Sequence, residues 1–252
     1  MSFTVEDLHA ALRGLDSVRY GASDLHTAVH RIVAATHDLF SVDGAALMLI
    51  DDQLRLRNVA SSDDRLDHLE RLQIGHGEGP GVDAFEEKTL VGCEDLEAEH
   101  RWPSFASEAV EAGLRALLAS PIPFADDAVG VVVVFSSTPH AWTPEGELAL
   151  TAFTDLAALA ILLGLQSDER GERAAQLQQA LDNRVIVEQA KGVLIGTERL
   201  APRGALIRLR EEARNTRRRL VEVAAEVVAA AQHGQPTPLS TAVPGQQTSA
   251  DQ

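Results

Sequence analysis

AVGVVVVFSS, Ala128 to Ser137, is the stretch on which the fold turns. A β-branched run of this length predicts a strand buried on both faces or nearly so. Directly before it, RALLASPIPF (Arg115–Phe124) reads as a strand ended by prolines. Further upstream, GAALMLIDD (Gly44–Asp52) is a short apolar run closing in a turn. LRLRNVA (Leu54–Ala60) alternates, with Leu54, Leu56 and Asn58 on one face. The two runs predict a hairpin around Asp51-Asp52-Gln53. TLVGCEDL is another short strand candidate, and GHGEGPG (Gly75–Gly81), with four glycines and a proline in seven residues, reads as a loop.

Helices flank these strands. Leu25, Val29, Ile32, Val33, Thr36 and Phe40 recur at three and four residues, with Ser23 or Asp24 as N-cap. RWPSFASEAVEAGL (Arg101–Leu114) has helical spacing after Pro103. Thr143-Pro144-Glu145 supplies an N-cap and an N1 proline for a long helix from about Glu145 to Leu165. Strands arranged in adjacent pairs favour an antiparallel α+β domain over a doubly wound one.

The 252-residue chain is large enough for one big domain or two modest ones, and its 45% hydrophobic content supplies a core. No run of about 18 uninterrupted apolar residues occurs, so no transmembrane helix is expected. The N-terminus lacks the pattern of a secretory signal, and a single cysteine, Cys93, suits a cytoplasmic location. The net charge of −16 is uneven. Residues 1–176 carry 12 Lys+Arg against 30 Asp+Glu, whereas residues 177–231 carry 10 against 7. The one basic segment of an acidic chain is what a separate nucleic-acid-facing module would look like.

That segment reads as three helices. The first holds RVIVEQAKGVLI (Arg184–Ile195) and runs to about Gly196. A break at LAPRG follows, then ALIRLREEAR, Asn215-Thr216 as a possible cap, and RRRLVEVAAEVVAAA. QSDERGERAAQLQQAL before it is a connecting helix or short coiled coil. The divisions expected are a lead-in (1–20), a mixed domain (21–165), a helical linker (166–176), a three-helix module (177–231) and a disordered tail (232–252).

The C-terminal module closely resembles an ANTAR domain. The matching residues are Ala180-Leu181, Arg184, Ile186, Ala190-Lys191-Gly192, Leu194, Ala205, Leu209, Arg210, Ala213, Leu220, Val223-Ala224 and Val227-Val228. Ile195 stands where the family often has Met, and Leu206 where an aromatic is common. The upstream domain is similar to GAF domains of the kind joined to ANTAR in actinobacterial regulators. GEGPGVDAF, DLEAEHRWPSFASEAVEAGL and SPIPF followed by VGVVVVF carry that likeness, with Gly81 where members often have Cys. The resemblance implies a cytoplasmic, dimeric, signal-responsive antiterminator that binds RNA stem-loops in nascent transcripts. It also implies room for a small-molecule ligand in the GAF domain, at a pocket rim formed by Gly77, Glu78, Gly79 and Pro80. A DNA-binding helix-turn-helix regulator and a sensor acting through protein contacts are the alternatives.

Arg184 and Lys191, seven residues apart, share a helix face. They are expected to meet RNA, with Gly192 admitting either RNA backbone or, as the preferred reading, a neighbouring helix. The plainer alternative pairs Glu188 with Arg184 or Lys191. Arg210, Arg214 and Arg217 would form a second basic stripe if one helix ran through them, while a cap at Asn215-Thr216 would move Arg217 onto the third helix. An Arg208–Glu212 pair is the solvated-face alternative. No aromatic lies between Ala174 and the C-terminus, so recognition would depend on charge, hydrogen bonds and RNA shape. The glycine loop lacks a Gly-Lys-Ser/Thr ending and is no phosphate cradle. Asp51-Asp52 reads as turn chemistry, and EDLEAEHRW fits no closed metal site. No nucleophile–base or paired-carboxylate arrangement is defensible, so no enzyme is expected. The sequence identifies no cofactor.

Overall fold

The computed structural model describes residues 25–40, 42–51, 53–63, 65–124, 127–167 and 172–240. The lead-in, the Ser23 or Asp24 cap, residues 168–171 of the linker and the tail beyond Ser240 lie outside the described residues. The chain divides into two compact units between Leu181 and Asp182.

Among the described residues the first unit runs from α1 (Leu25–Phe40) through β1 (Gly44–Ile50), β2 (Leu56–Ser61), α2 (Arg65–His76) and α3 (Pro80–Glu87). Then come β3 (Val91–Cys93), a 3₁₀ turn (Leu96–Ala98), α4 (Pro103–Glu111), β4 (Ala116–Phe124), β5 (Asp127–Ser136) and α5 (Pro144–Ser167). The five strands form one antiparallel sheet in the order β2-β1-β5-β4-β3. The α+β antiparallel architecture is the one the sequence predicts. The valine run is the central strand, and every residue from Ala128 to Ser136 is buried.

Three local readings change. Leu54 does not begin a strand; it sits at φ 56° in the β1–β2 turn. Asp51 builds that turn, its Oδ1 accepting from Gln53 N at 2.8 Å and Arg55 N at 2.9 Å. Its Oδ2 takes the Arg55 and Arg57 guanidiniums at 3.0 and 3.1 Å. Pro121 and Pro123 do not end β4 but lie inside it. They are tolerated because β3 pairs only with Leu117–Ala119, which leaves this half of β4 as an edge where no donor is needed. The glycine loop is also shorter than it reads: Gly75 and His76 close α2 and Pro80 opens α3.

The short edge strand β3 is covered by side chains. Arg101 Nη2 donates to Gly92 O at 2.7 Å and Trp142 Nε1 to Cys93 O at 3.1 Å, which blunts the exposed carbonyls of an edge. Thr143 caps α5 as its type predicts, Oγ1 accepting from Gly146 N at 3.2 Å. Residues Pro144–Leu163 of α5 are long and apolar enough to cross a membrane by composition. Half of that stretch is buried, as in a core helix; Leu150, Phe153, Ala157 and Ile161 are fully buried in it.

The second unit contains the C-terminal part of α6 (Glu172–Glu198), then α7 (Pro202–Thr216) and α8 (Leu220–Gln232). Pro202 takes a first-turn position. Asn215-Thr216 is not a cap: α7 runs through both and stops at Arg217, φ 53°, while Arg219 precedes α8. Glu222 accepts from Arg219 N at 3.3 Å, satisfying one donor at the start of α8. Gly234, at φ 64°, ends α8 with Gln235 N bonding Ala230 O at 2.9 Å. The chain then returns to α7, where Ser240 N and Oγ donate to the buried Glu212 carboxylate at 2.9 and 3.1 Å. Arg208 bonds Ser240 O. The first part of the expected tail is therefore tied to α7 as far as Ser240.

Candidate nucleic-acid interface

The interface begins with the pitch of α6. Among its described side chains Ala180, Asn183, Arg184, Val187, Ala190 and Leu194 are buried, and apart from the adjacent Asn183 and Arg184 they are spaced at three and four. Arg184 lies on this stripe and is only 7% exposed. Lys191, seven residues on, is half-buried, and its Nζ donates to both Glu188 oxygens at 2.9 and 3.0 Å. The pairing given above as the plainer alternative is the one formed. Gly192 lies one residue beyond Lys191, rotated about 100° away. It is exposed, and a Cβ built on it meets nothing within 4 Å. Among the described residues no neighbouring helix packs there, so the preferred reading of Gly192 does not hold. Alanine at 192 fills open space and improves helix propensity. We predict that Gly192→Ala stabilises this module by about 1 kcal/mol in chemical denaturation; a destabilised variant would show that Gly192 is packed.

The second stripe is also redistributed. Arg208 is held by Glu212 at 3.6 Å and Glu198 at 3.9 Å. Arg218 forms a fork with Glu226 at 2.7 and 2.8 Å, which holds the Glu226 carboxyl below the ordinary range. Arg210 is half-buried, whereas Arg214 and Arg217 are exposed. Arg199, which no motif singled out, is exposed between α6 and α7 at φ 57°. Arg199, Arg214 and Arg217 have no carboxylate within ion-pair distance among the described residues. Arg214 and Arg217 belong to the stripe that spacing marks in the sequence, whereas the signal of Arg199 is only its place near a helix end.

In the first unit the glycine segment is tied into the fold. Gly77 has φ 65° and open space around it. Glu78 Oε2 accepts from Ser104 N at 3.2 Å, capping α4, whose own N-cap is Trp102 and offers no side-chain acceptor. Gly79, at φ 129°, has no room for a side chain: a Cβ would lie 2.6 Å from Gln73 Cγ. Pro80 is the first residue of α3. Gln73, buried and unmarked by any motif, accepts from Gly81 N at 2.7 Å. Beside it, Trp102 Nε1 donates to the buried Asp83 carboxylate at 2.7 Å. Glu99 grips Arg101 at 2.6 Å; the hydrogen bonds from that guanidinium bring its pKa down to about 2 despite partial burial.

Burial, with the Glu99 carboxylate adding to it, pushes the Cys93 thiol up to about 11. A buried thiol with so little thiolate is a poor nucleophile. We predict that iodoacetamide leaves Cys93 unmodified at pH 8 in the folded chain and alkylates it in denaturant; rapid native labelling in a mass-spectrometric time course would contradict this. No described group of three or more His, Cys, Asp or Glu side chains gathers as a metal cluster.

The GAF domain profile matches residues 24–161 and the ANTAR domain profile matches residues 175–228. No curated protein matches the chain. Among solved structures, the GAF domain of an Acinetobacter phosphoenolpyruvate-protein phosphotransferase shares 17% identity at TM-score 0.51, over 67% of this chain and 99% of that one. The corresponding domain from Coxiella burnetii shares 18% at 0.52, over 64% and 96%. Free methionine-R-sulfoxide reductase from Neisseria meningitidis, solved with its substrate, shares 13% at 0.50, over 66% and 98%. Identities this low establish a common fold and nothing about chemistry.

Proposed function

Since the chain belongs to the GAF domain family and carries an ANTAR domain behind it, a sensor-and-regulator architecture, we propose that it is a cytoplasmic, non-enzymatic, signal-responsive antiterminator that binds RNA stem-loops. The carrying observation is the exposure of Arg199, Arg214 and Arg217 on the one basic unit, with no described carboxylate to neutralise them. Unpaired guanidiniums are what phosphate contact requires, since a cation already bound to Glu gains little from RNA. Arg184 and Lys191 then serve chiefly to hold α6, and Arg210 borders the exposed pair. The open surface at Gly192 lets a phosphate backbone approach closely.

The signal would enter through the acidic GAF domain, a small-molecule ligand being the natural agent, and shift the population of RNA-competent states. A homodimer fits this reading, because two linked modules bind two stem-loops with a raised effective concentration. Exposed Leu148, Leu159 and Leu162 on α5 support self-association.

The test is filter binding to an RNA hairpin and to duplex DNA of matched length. We predict that Arg214→Glu with Arg217→Glu weakens hairpin binding at least about tenfold and lowers the log–log salt slope by about 1.5. Circular dichroism should be unchanged, since both side chains are exposed. Preference for duplex DNA would favour a helix-turn-helix regulator instead. Unchanged transcript readthrough in the folded variant would favour a sensor acting through protein contacts, for which exposed Val185, Ile195 and Ile207 speak.

A further inference from the structure

We propose that His26 and His30, on the exposed face of α1, form a two-imidazole site for an exchangeable divalent transition-metal ion of the zinc, copper and nickel class. The pair lies at i and i+4, the spacing at which a helix presents two imidazoles on one side. Their Nε2 atoms are 3.2 Å apart, the ring centroids 4.3 Å apart and the planes inclined at 50°. With metal–nitrogen bonds of about 2.0–2.1 Å, that separation subtends an angle of roughly 100° at the ion, close to tetrahedral. The two Nε2 atoms face each other across a hydrogen-bond contact in the free chain, so small side-chain rotations turn both lone pairs toward one ion.

The contact differs from the other histidine pairs of this unit. His37 faces the Asp38 carboxylate at 3.2 Å and His76 the Glu108 carboxylate at 3.0 Å, so each has an anion beside it. In the His26–His30 contact two imidazole nitrogens face each other, an arrangement suited to a metal cation with an affinity for both. Both side chains are exposed, so an ion reaches them without opening the fold. Two protein ligands leave the remaining positions to water, which makes the site exchangeable, unlike a closed four-ligand structural site. The bound ion would staple the first turns of α1, the helix beside β1 and β2 in the sensor domain.

The experiment is calorimetric titration of the full chain, stripped with chelator, with Zn²⁺ alone in a non-coordinating buffer. One equivalent is expected to bind. His26→Ala and His30→Ala should each weaken that affinity at least about tenfold, while His37→Ala leaves it unchanged. Helical circular dichroism of all three variants should match the unaltered chain, since the rings are exposed. Zn²⁺ affinity equal in the unaltered chain and both variants, or no binding by the unaltered chain, overturns the proposal. The readout is independent of RNA, so it stands or falls separately from antitermination.

Discussion

Gly130→Ala should cost the five-stranded domain at least about 3 kcal/mol and lower its melting temperature by roughly 10 °C. Gly130 lies in the central strand β5, between Leu49 of β1 and Ile122 of β4. A Cβ there would sit 2.1 Å from the backbone oxygen of Met48, 2.8 Å from Leu49 Cδ2 and 3.1 Å from Leu49 Cα. Two of these atoms are backbone, so no rotamer change relieves the clash. The strands must separate, at the place where the sheet is buried on both faces. Set against a typical total stability of about 5–15 kcal/mol, this is a large fraction. Thermal denaturation followed by circular dichroism measures it; a Tm within about 2 °C of the unaltered chain would show that β1 and β5 are not this close.

Trp102→Ala is the second large effect, at about 4 kcal/mol. The side chain is 1% exposed and meets Phe105 edge to face at 6.4 Å. Arg101 covers its ring at 4.2 Å. Truncation leaves a cavity, for which losses of about 3–5 kcal/mol are usual. It also withdraws the indole donor from Asp83, whose carboxylate is buried on α3. Trp102→Phe separates the two contributions: most of the packing stays and only the hydrogen bond goes, for about 2 kcal/mol. Equal losses in urea for the Phe and Ala variants would show that packing contributes little and the Asp83 bond dominates.

The strand pattern was legible because burial on both faces leaves a composition that no surface segment shares. The valine run, the β1 run and the Thr143-Pro144 cap each need only local chemistry to be recognised. The place of the prolines inside β4 is not legible locally, because their tolerance depends on β3 being three residues long, a property of a different segment. The glycine segment is shorter than its composition suggests because Gly75 is helical through its neighbours and against its propensity. Glu78, Gln73 and Asp83 are invisible in sequence as structural residues because their partners lie 8 to 26 residues away.

The candidate interface follows the same division. By itself the sequence determined that there are two modules, that the second is basic and helical, and which families they match, since charge, periodicity and motif order are properties of the chain. Only the tertiary structure decided which cations are free. Arg184 and Lys191 share a face in sequence, but whether that face looks at water or at protein depends on which stripe of α6 the fold buries. Arg184 is buried, Lys191 is held by Glu188, Gly192 is left open, and among the described residues Arg199, Arg214 and Arg217 have no carboxylate within ion-pair distance. A helix's pitch fixes which residues are neighbours, and only packing fixes which neighbours remain in solvent.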